Sequence, residues 1–278
     1  MIKVAMLTVF GCLVFMISCK QESGKLSDGG DVSFISKSES YKDGKDCDLS
    51  DSLMNECAIL NITSLQPQSD FKELNIAIKD TLEHYIKGMI GDCIFSENTG
   101  EQTKNMALDS LSKLFFLQHR DFIKEFPEAA AKVWTIDISV DSVFQNSKVI
   151  CLSVNGFTFL GGAHPNSYLT YHNFDKATGK TLMLEDIISD MEAFRKIAET
   201  EFRKNQELTE NQDLEEAGYF FDNGVYSLPS QFAVTDKGLM MFYNAYEAAA
   251  YVVGQISFTI PYESLQGVVN VEKVKLVN

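Results

Sequence analysis

The segment that decides the fold is KVICLSVNGFTFL at residues 148–160, which runs directly into GGAHPN at residues 161–166. A nearly continuous apolar run of this kind predicts a buried β-strand, here bent at Asn155 and Gly156. Immediately upstream, residues 134–140 alternate apolar with polar side chains, which is typical of a strand with one solvated face. The centre of the chain is therefore predicted to be a sheet.

More strands are predicted on both sides of this centre. Residues 168–174 and 180–184 flank the sequence DKATG at residues 175–179, whose turn chemistry predicts a hairpin. β-Branched, partly alternating segments predict further strands towards both ends of the chain. These segments are residues 32–42, 57–65, 231–235, 239–244, 255–260 and 268–276.

Three stretches have helical periodicity. The first begins near Asp70, which has the spacing of a capping box with Glu73. The glycines at 88 and 91 are expected to mark its end. The other two are predicted at residues 102–126 and 185–206. Strands with interspersed helices and hairpin links indicate an α+β fold, with a mainly antiparallel β-sheet and three or more packed helices.

The composition is that of an acidic globular protein. The 278 residues include 24 Lys and Arg against 39 Asp and Glu, which gives a net charge of −15. Such a charge argues against nucleic-acid binding, which needs a basic surface. An apolar content of 45% does not fit a disordered chain. No GxGxxG sequence appears, so dinucleotide binding is disfavoured.

The first nineteen residues predict export and lipidation. Lys3 precedes a mainly apolar run at residues 4–17, which is short for a membrane span but suits a signal peptide. The run ends in Met-Ile-Ser-Cys, which resembles the bacterial lipobox. Residues 1–18 are therefore interpreted as a lipoprotein signal peptide, with Cys19 lipidated, and the polar residues 19–31 as a flexible tether. The alternative is a transmembrane anchor with a chance cysteine.

This interpretation predicts the location of the protein. Acyl chains on Cys19 would anchor it to a bacterial membrane in the cell envelope, in the periplasm or exposed on the surface. The folded body would remain in water.

Four cysteines follow Cys19. Cys47 and Cys57 enclose only nine residues, so a local disulfide between them is expected in an exported protein. Cys93 and Cys151 could form a second bridge, or Cys151 could be a small buried side chain in its apolar strand. The spacing does not choose between the pairings. No CxxC occurs, so neither a redox motif nor a zinc ribbon is supported.

Two groups of short motifs resemble a known family. The first is FLGGAHPN at residues 159–166, then the turn at residues 175–179 and LMLED at residues 182–186. The second includes FAVT at residues 232–235 and IPY at residues 260–262. In this order they are similar to the GGAH-motif family of bacterial envelope domains, a domain of unknown function. This family forms the extracellular, lysozyme-binding part of anti-sigma-V factors.

The resemblance extends to the N-terminal half and implies a division of the chain. Residues 32–90 look like an accessory domain that accompanies peptidoglycan deacetylases. The resemblance thus implies an accessory-like α+β region at residues 32–130 and a GGAH-motif α+β domain at residues 131–278. It also implies recognition of a protein, without an established catalytic role. Because only three residues precede the hydrophobic run, we expect no sigma-binding segment.

The loop around His164 holds the first set of candidate binding residues. A histidine titrates near neutral pH and serves as a ligand contact or a general base, and adjacent glycines let a partner approach the backbone. The alternative is a tight turn in which the imidazole caps a nearby carbonyl. We interpret the loop as a binding surface rather than a catalytic one. The candidates are Gly161, Gly162, His164, Pro165, Asn166 and Tyr168.

C-terminal tyrosines form the second candidate set. Exposed tyrosine rings suit contact with a sugar or a protein, because they combine apolar area with a polar tip. The candidates are Tyr246, Tyr251 and Tyr262, and the alternative is that they pack at the rim of a sheet. The acidic residues 207–216 favour encounter with a basic partner such as a lysozyme.

These observations lead to one principal hypothesis and two alternatives. The principal hypothesis is a non-enzymatic, lipid-anchored envelope protein that binds a lysozyme-like protein or cell-wall glycan (peptidoglycan). The first alternative is a cell-wall hydrolase with His164 as its base, and the second is a structural subunit of an envelope complex. No catalytic residue is assigned. No metal site or cofactor is expected, because the spacing of the histidines provides no converging ligands.

Overall fold

Two β-sheets with helices packed against them form the body of the protein. A computed structural model describes residues 31–44, 47, 55–95, 100–103, 105–270 and 274. Within that part of the chain, one sheet has five strands in the order β1-β2-β3-β4-β5, and the other has three in the order β6-β7-β8. The strands are β1 Ser33–Gly44, β2 Cys57–Gln68, β3 Trp134–Gln145, β4 Val149–Leu160, β5 Asn166–Asp175, β6 Gln231–Val234, β7 Gly238–Tyr243 and β8 Ile256–Pro261.

Helices connect the strands and set their directions. They are α1 Lys72–Ile94, α2 Gly100–Thr103, α3 Leu108–Glu125, α4 Leu184–Ile187 and α5 Met191–Asn205. The connection through α1 to α3 is long enough for β2 and β3 to run parallel, and the other strand pairs of the two sheets are antiparallel. The predicted α+β fold with a mainly antiparallel sheet is confirmed.

The core of the five-stranded sheet is built on α1. Buried apolar residues recur every four positions along this helix, so they share one face and pack against inward-facing residues of the sheet. They are Leu74, Ile78, Leu82, Ile86 and Ile90. Helix and sheet approach closely at Gly156, where an added Cβ would lie 3.1 Å from Met89 Sδ.

A second core lies under the three-stranded sheet. Phe194, Ala198 and Phe202 are fully buried on one face of α5 and pack in a cluster with inward-facing residues of β6, β7 and β8. The helix begins at Asp190, whose carboxylate accepts a hydrogen bond of 2.9 Å from the backbone N–H of Ala193.

Side-chain amides join the two sheets along the edge of β5. Asn173 donates to the carbonyl of Phe232 and accepts from the N–H of Val234, both at 2.9 Å. Asn244 likewise accepts from the N–H of Leu169 at 2.8 Å and donates to its carbonyl at 3.0 Å. These bonds satisfy backbone groups at the strand edge and place the β4–β5 loop beside the chain that follows β7.

The first helix departs from its predicted ends. It continues through Gly88 and Gly91, because packing against the sheet outweighs the low helix propensity of glycine. Its N-cap residue is Phe71, without a side-chain cap, so the capping box predicted from Asp70 is wrong. Instead the hydroxyl of Ser69 accepts a 3.2 Å hydrogen bond from the N–H of Phe71.

The other two predicted helices are each divided. Residues 102–126 give the short α2 and the longer α3, and residues 185–206 give α4 and α5. The second division occurs because Ile188 leaves the helix to form a β-bridge with Val269, after which Asp190 caps a new helix. In its described residues, the strand predicted at 268–276 is reduced to that one bridge.

The predicted hairpin is confirmed only at its turn. The N–H of Gly179 donates to the carbonyl of Asp175 at 2.8 Å, as the turn sequence requires. The second arm, predicted at residues 180–184, forms a single bridge between Thr181 and Phe174 instead of a strand. The chain then enters α4, whose acidic first turn favours a helix N-terminus.

The bend expected in β4 is not accompanied by a bulge in that strand. Pairing with both neighbouring strands continues without a register shift through Asn155 and Gly156. The irregularity lies in β3, between Ser142 and Phe144, where an extra residue forms a bulge.

The predicted disulfide between Cys47 and Cys57 is present, with Cα atoms 5.3 Å apart. Cys93 and Cys151 are free thiols, so no second bridge joins them. The signal peptide, Cys19 and all but the last residue of the tether lie outside the described residues. Among the helices that the structure does describe, none combines the length and apolarity needed to cross a membrane.

The division after residue 130 remains a prediction. The five-stranded sheet takes β1 and β2 from before that position and β3, β4 and β5 from after it.

Candidate functional site

Two neighbouring glycines begin the β4–β5 loop and differ in role. Gly161 has φ of +75°, and an added Cβ would lie 3.0 Å from the carbonyl oxygen of Ala131 and 3.1 Å from Trp134 Nε1. Around Gly162, apart from its two chain neighbours, no atom of the described residues lies within 4 Å of an added Cβ. Gly161 therefore shapes the turn, and Gly162 leaves backbone open to a partner.

His164 lies in the same loop and stacks on a ring from a distant part of the chain. Its imidazole and the ring of Tyr251 have centroids 4.1 Å apart and planes inclined by 20°. Nδ1 of His164 lies 3.0 Å from the carbonyl oxygen of Pro165, and the Tyr251 hydroxyl donates to the same oxygen at 2.9 Å. The β4–β5 loop and the turn containing Tyr251 are thus held together.

Tyr246 extends this stack into solvent. Its ring centroid lies 5.3 Å from that of Tyr251, and 55% of the residue is exposed. Its φ of +69° is in the left-handed region, which costs a non-glycine residue about 1–2 kcal/mol. We call His164, Tyr251 and Tyr246 the aromatic platform. The adjacent Val252 is 91% exposed.

Tyr262 is not part of the aromatic platform. It follows β8 at the opposite end of the three-stranded sheet, where its hydroxyl donates to the carbonyl of Thr235 at 2.8 Å. Burial raises the pKa of this phenol, so Tyr262 packs at the sheet rim, the alternative considered for the tyrosines.

Asn166 and Tyr168 line a cleft of about 560 Å³ between α1 and the five-stranded sheet. Opposite them, α1 contributes Tyr85, Met89 and Cys93. Burial raises the pKa of the Cys93 thiol to about 12, which disfavours the reactive thiolate.

His172 is buried next to this cleft. Its ring centroid lies 4.1 Å from that of Tyr85, and Nε2 is 3.1 Å from the hydroxyl oxygen of Thr170. Burial lowers the pKa of His172 to about 4, so the ring is neutral at physiological pH.

A second cleft, of about 400 Å³, opens on the opposite face of the same sheet. Strand register places small polar side chains next to one another there, and we call this set the polar face. It consists of Asn61 and Thr63 of β2, Asp137 and Ser139 of β3, Asn155 of β4 and Ser167 of β5.

Hydrogen bonds order the polar face from strand to strand. The hydroxyl of Ser40 in β1 donates to Asn61 Oδ1 at 2.7 Å, and Asn61 Nδ2 donates to Asp137 Oδ1 at 2.7 Å. Farther along, Asn155 Nδ2 donates to Asp141 Oδ2 at 3.1 Å. The side chains therefore present fixed donors and acceptors, most of them half-buried.

The polar face adjoins the aromatic platform. Gln255, which lines the same cleft, comes soon after Tyr251 in the chain, and Ser167 follows the loop that contains His164. Phe157 also lines the cleft, is 37% exposed and pairs in register with both Asp137 and Ser167.

Sequence reasoning missed the polar face, although part of its signal is visible. Alternation in residues 134–140 already indicated a solvated face, with Asp137 and Ser139 on it. What places Asn61, Asn155 and Ser167 beside them is the strand register, which single segments do not reveal.

Across the residues that the structure describes, no group of three or more His, Cys, Asp or Glu side chains is placed to hold a metal ion.

Comparison with known families places a domain in the C-terminal half. Residues 183–263 match the model of a family described as "Protein of unknown function (DUF3298)". The match includes α4, α5, the three-stranded sheet, and Tyr246 and Tyr251 of the aromatic platform, but not the β4–β5 loop.

Two solved structures have the same fold. A DUF3298-family protein from Bacteroides fragilis has a TM-score of 0.65 at 20% identity, with 88% of this chain and 96% of that one covered. A second, from Pseudomonas aeruginosa PAO1, has a TM-score of 0.57 at 18% identity, with coverages of 87% and 95%.

A curated protein is similar over part of its length. The peptidoglycan-N-acetylmuramic acid deacetylase PdaC of Bacillus subtilis (strain 168) is 22% identical over 187 residues, which is 63% of this chain. The matched part is 39% of that protein, so the chain spans about two fifths of its length.

Proposed function

We propose that the protein is a non-enzymatic, lipid-anchored component of the bacterial cell envelope whose body binds cell-wall glycan through the aromatic platform. The signal-like sequence before Cys19 supports an envelope location. The name of the Bacillus subtilis relative, a peptidoglycan deacetylase, supports glycan over protein as the partner.

The observation that carries this proposal is the stack of His164 on Tyr251 beside the exposed ring of Tyr246. Planar side chains with a polar tip suit sugars, whose rings present both apolar C–H faces and hydroxyl groups. The hydrogen bonds from two residues to the Pro165 carbonyl hold the rings in place, so less conformational entropy is lost on binding.

The contacts of His164 favour recognition over catalysis. Its ring stacks on a tyrosine, and its Nδ1–H donates to a backbone carbonyl rather than to a carboxylate, which would make the ring more basic. The hydrolase hypothesis remains the alternative, and it predicts turnover that His164→Ala abolishes without unfolding the protein.

The test is direct binding. The chain from Lys20, which includes every described residue, would be titrated with soluble peptidoglycan fragments by calorimetry. We expect saturable binding that Tyr251→Ala weakens about tenfold or more, because it removes the ring on which His164 stacks. Phe71→Ala is the matched control, since Phe71 is 45% exposed and lies at the N-cap of α1.

Three other results would overturn this function. One is no binding of fragments by the unmodified chain at high micromolar concentration. Another is binding of lysozyme in place of glycan, which the acidic charge of −15 would favour through attraction to a basic partner. The third is hydrolysis of the fragments that depends on His164.

Lipid anchoring is tested separately by mass spectrometry of the membrane fraction. We expect the mature chain to begin at an acylated Cys19, and Cys19→Ala to release the protein from the membrane. An unmodified, full-length chain in the soluble extract would overturn the anchor.

A further inference from the structure

We propose that the polar face is an elongated subsite for an uncharged oligosaccharide, so that the protein binds a stretch of several sugar units. This inference rests on the proposed function, since the aromatic platform would hold one end of the same glycan. It assigns a role to Asn61, Asp137 and Asn155, which the platform does not use.

The dimensions of the polar face suit an extended ligand. One registered row runs from Asn61 through Asp137 and Phe157 to Ser167, and so crosses four adjacent strands. Three strand spacings of about 4.8 Å give a length of roughly 14 Å, which exceeds a single sugar ring. A parallel row begins at Thr63 and runs through Ser139 and Asn155.

The chemistry of the polar face suits hydroxyl groups. Asn61 accepts from Ser40 through Oδ1 and donates one amide hydrogen to Oδ1 of Asp137. The other amide hydrogen of Asn61 and Oδ2 of Asp137 remain for a ligand. Donors and acceptors ordered in advance cost little entropy on binding. Phe157 provides an apolar surface within the row, against which a sugar ring can pack.

The charge of the polar face favours an uncharged polymer over an anionic one. Asp137 and Asp141 place two carboxylates on this face, and the cleft is lined by no Lys or Arg among the described residues. An anionic polymer would be repelled. A glycan without charged groups in the contacted stretch fits both the uncharged polar side chains of the rows and the two carboxylates beside them.

Continuity with the aromatic platform supports one shared ligand. Gln255 and Ser167 line the cleft at the end nearest Tyr251 and His164, so a glycan leaving the platform would enter the rows there. The binding free energies at the aromatic platform and the polar face would then add. Affinity would grow with ligand length until the rows are filled.

The experiment measures Kd for N-acetylglucosamine oligomers of increasing length, from the monomer to the hexamer, with the chain from Lys20. We expect Kd to fall with each unit up to about four units and then to level off, given the length of the face. Asn61→Ala and Asn155→Ala should each weaken binding of the hexamer about fivefold, the effect of one hydrogen bond, and leave the dimer nearly unchanged. Asn205→Ala, an exposed asparagine at the end of α5, is the control.

The outcomes separate this inference from the proposed function. Affinity that is independent of length, or unaffected by both substitutions, while Tyr251→Ala still abolishes binding, would overturn the elongated subsite alone. Failure of every oligomer and of peptidoglycan fragments to bind would overturn both. Thermal unfolding of each variant shows whether the fold is intact, and because two independent asparagines are changed, loss of one variant leaves the other as the test.

Discussion

The imidazole of His164 lies 4.1 Å from the ring of Tyr251, nearly parallel to it, although 86 residues separate the two in the chain. Both residues are tied to the carbonyl of Pro165. A loop of the five-stranded sheet and a turn of the three-stranded sheet thereby form one surface. The surface exists only because the two sheets are docked.

Gly161→Ala and Gly162→Ala form a matched pair of substitutions. We expect Gly161→Ala to destabilise the protein by about 1–2 kcal/mol or more, because a Cβ at φ of +75° is strained and meets Ala131 and Trp134. Gly162→Ala should change the free energy of unfolding little, since its Cβ is uncrowded. Urea unfolding of both variants measures the difference. Equal stabilities would contradict the structural role of Gly161.

Tyr246→Asn separates stability from binding. Asparagine tolerates φ of +69° better than tyrosine, so relief of strain should offset the lost ring contact and leave Tm unchanged or higher. Glycan binding should weaken, since the exposed ring is gone. Calorimetry and a thermal melt on the same sample check both halves. A large fall in Tm would show that Tyr246 is a structural residue.

Asn173→Ala should loosen the contact between the sheets. Asn173 is 1% exposed, and its removal leaves the carbonyl of Phe232 and the N–H of Val234 without their partner. Each unsatisfied buried group costs about 1–3 kcal/mol, so a loss of roughly 2–4 kcal/mol is expected in denaturant unfolding. Asn155→Ala, on the half-buried polar face, should cost much less. Similar losses for the two variants would argue against a role of Asn173 in joining the two sheets.

The stability of the protein should depend on pH through His172. The folded state keeps this ring neutral down to a pKa of about 4, whereas the unfolded chain takes up the proton near 6.5. The unfolded state therefore binds more protons between these values, and stability falls as the pH falls through this window. A shift of this size corresponds to about 3 kcal/mol.

The matched variants for this prediction are His172→Gln and His84→Gln. His172→Gln should flatten the dependence of unfolding free energy on pH between 7 and 4, whatever its effect on stability at pH 7. His84 is exposed on α1, so His84→Gln should retain the slope of the unmodified protein. An unchanged slope in His172→Gln would refute the assignment.

The state of the cysteines is measurable by alkylation of the chain from Lys20. Unfolded but unreduced protein should take up two equivalents of iodoacetamide, at Cys93 and Cys151, and reduction should expose Cys47 and Cys57 as well. In the native protein both free thiols should react slowly, because burial raises the pKa of each to about 12. Rapid native labelling of Cys151 would contradict its burial.

Local patterns in the sequence identified most elements of the fold. The apolar pattern located α1 and β4. Burial of one helix face gives apolar residues every three or four positions, and burial of a whole strand gives a nearly continuous apolar run. The predicted ends of the helices and strands were less accurate. The glycines within α1 predict an end to the helix, but α1 continues past them because it packs against the sheet, a contact that local sequence does not encode.

The residues of the candidate site were likewise predictable from the sequence only in part. Residue chemistry alone singled out His164, Tyr246 and Tyr251, because a loop histidine and clustered tyrosines are uncommon enough to be noticed in a linear chain. The same reasoning grouped Tyr262 with them, and the structure places that ring at the other end of its sheet. The sequence around Asn61 and Asn155 gives no indication that the two residues share a surface.

Local sequence patterns were enough to predict the α+β class, the Cys47–Cys57 disulfide and the solvated face of β3, since each depends on residues close in the chain. Contacts between side chains far apart in the chain follow from the packing of the folded protein. The stack of His164 on Tyr251 and the rows of the polar face depend on strand register and on the docking of two sheets. Contacts between distant residues are set by the packing of the whole molecule, and no short segment contains that information.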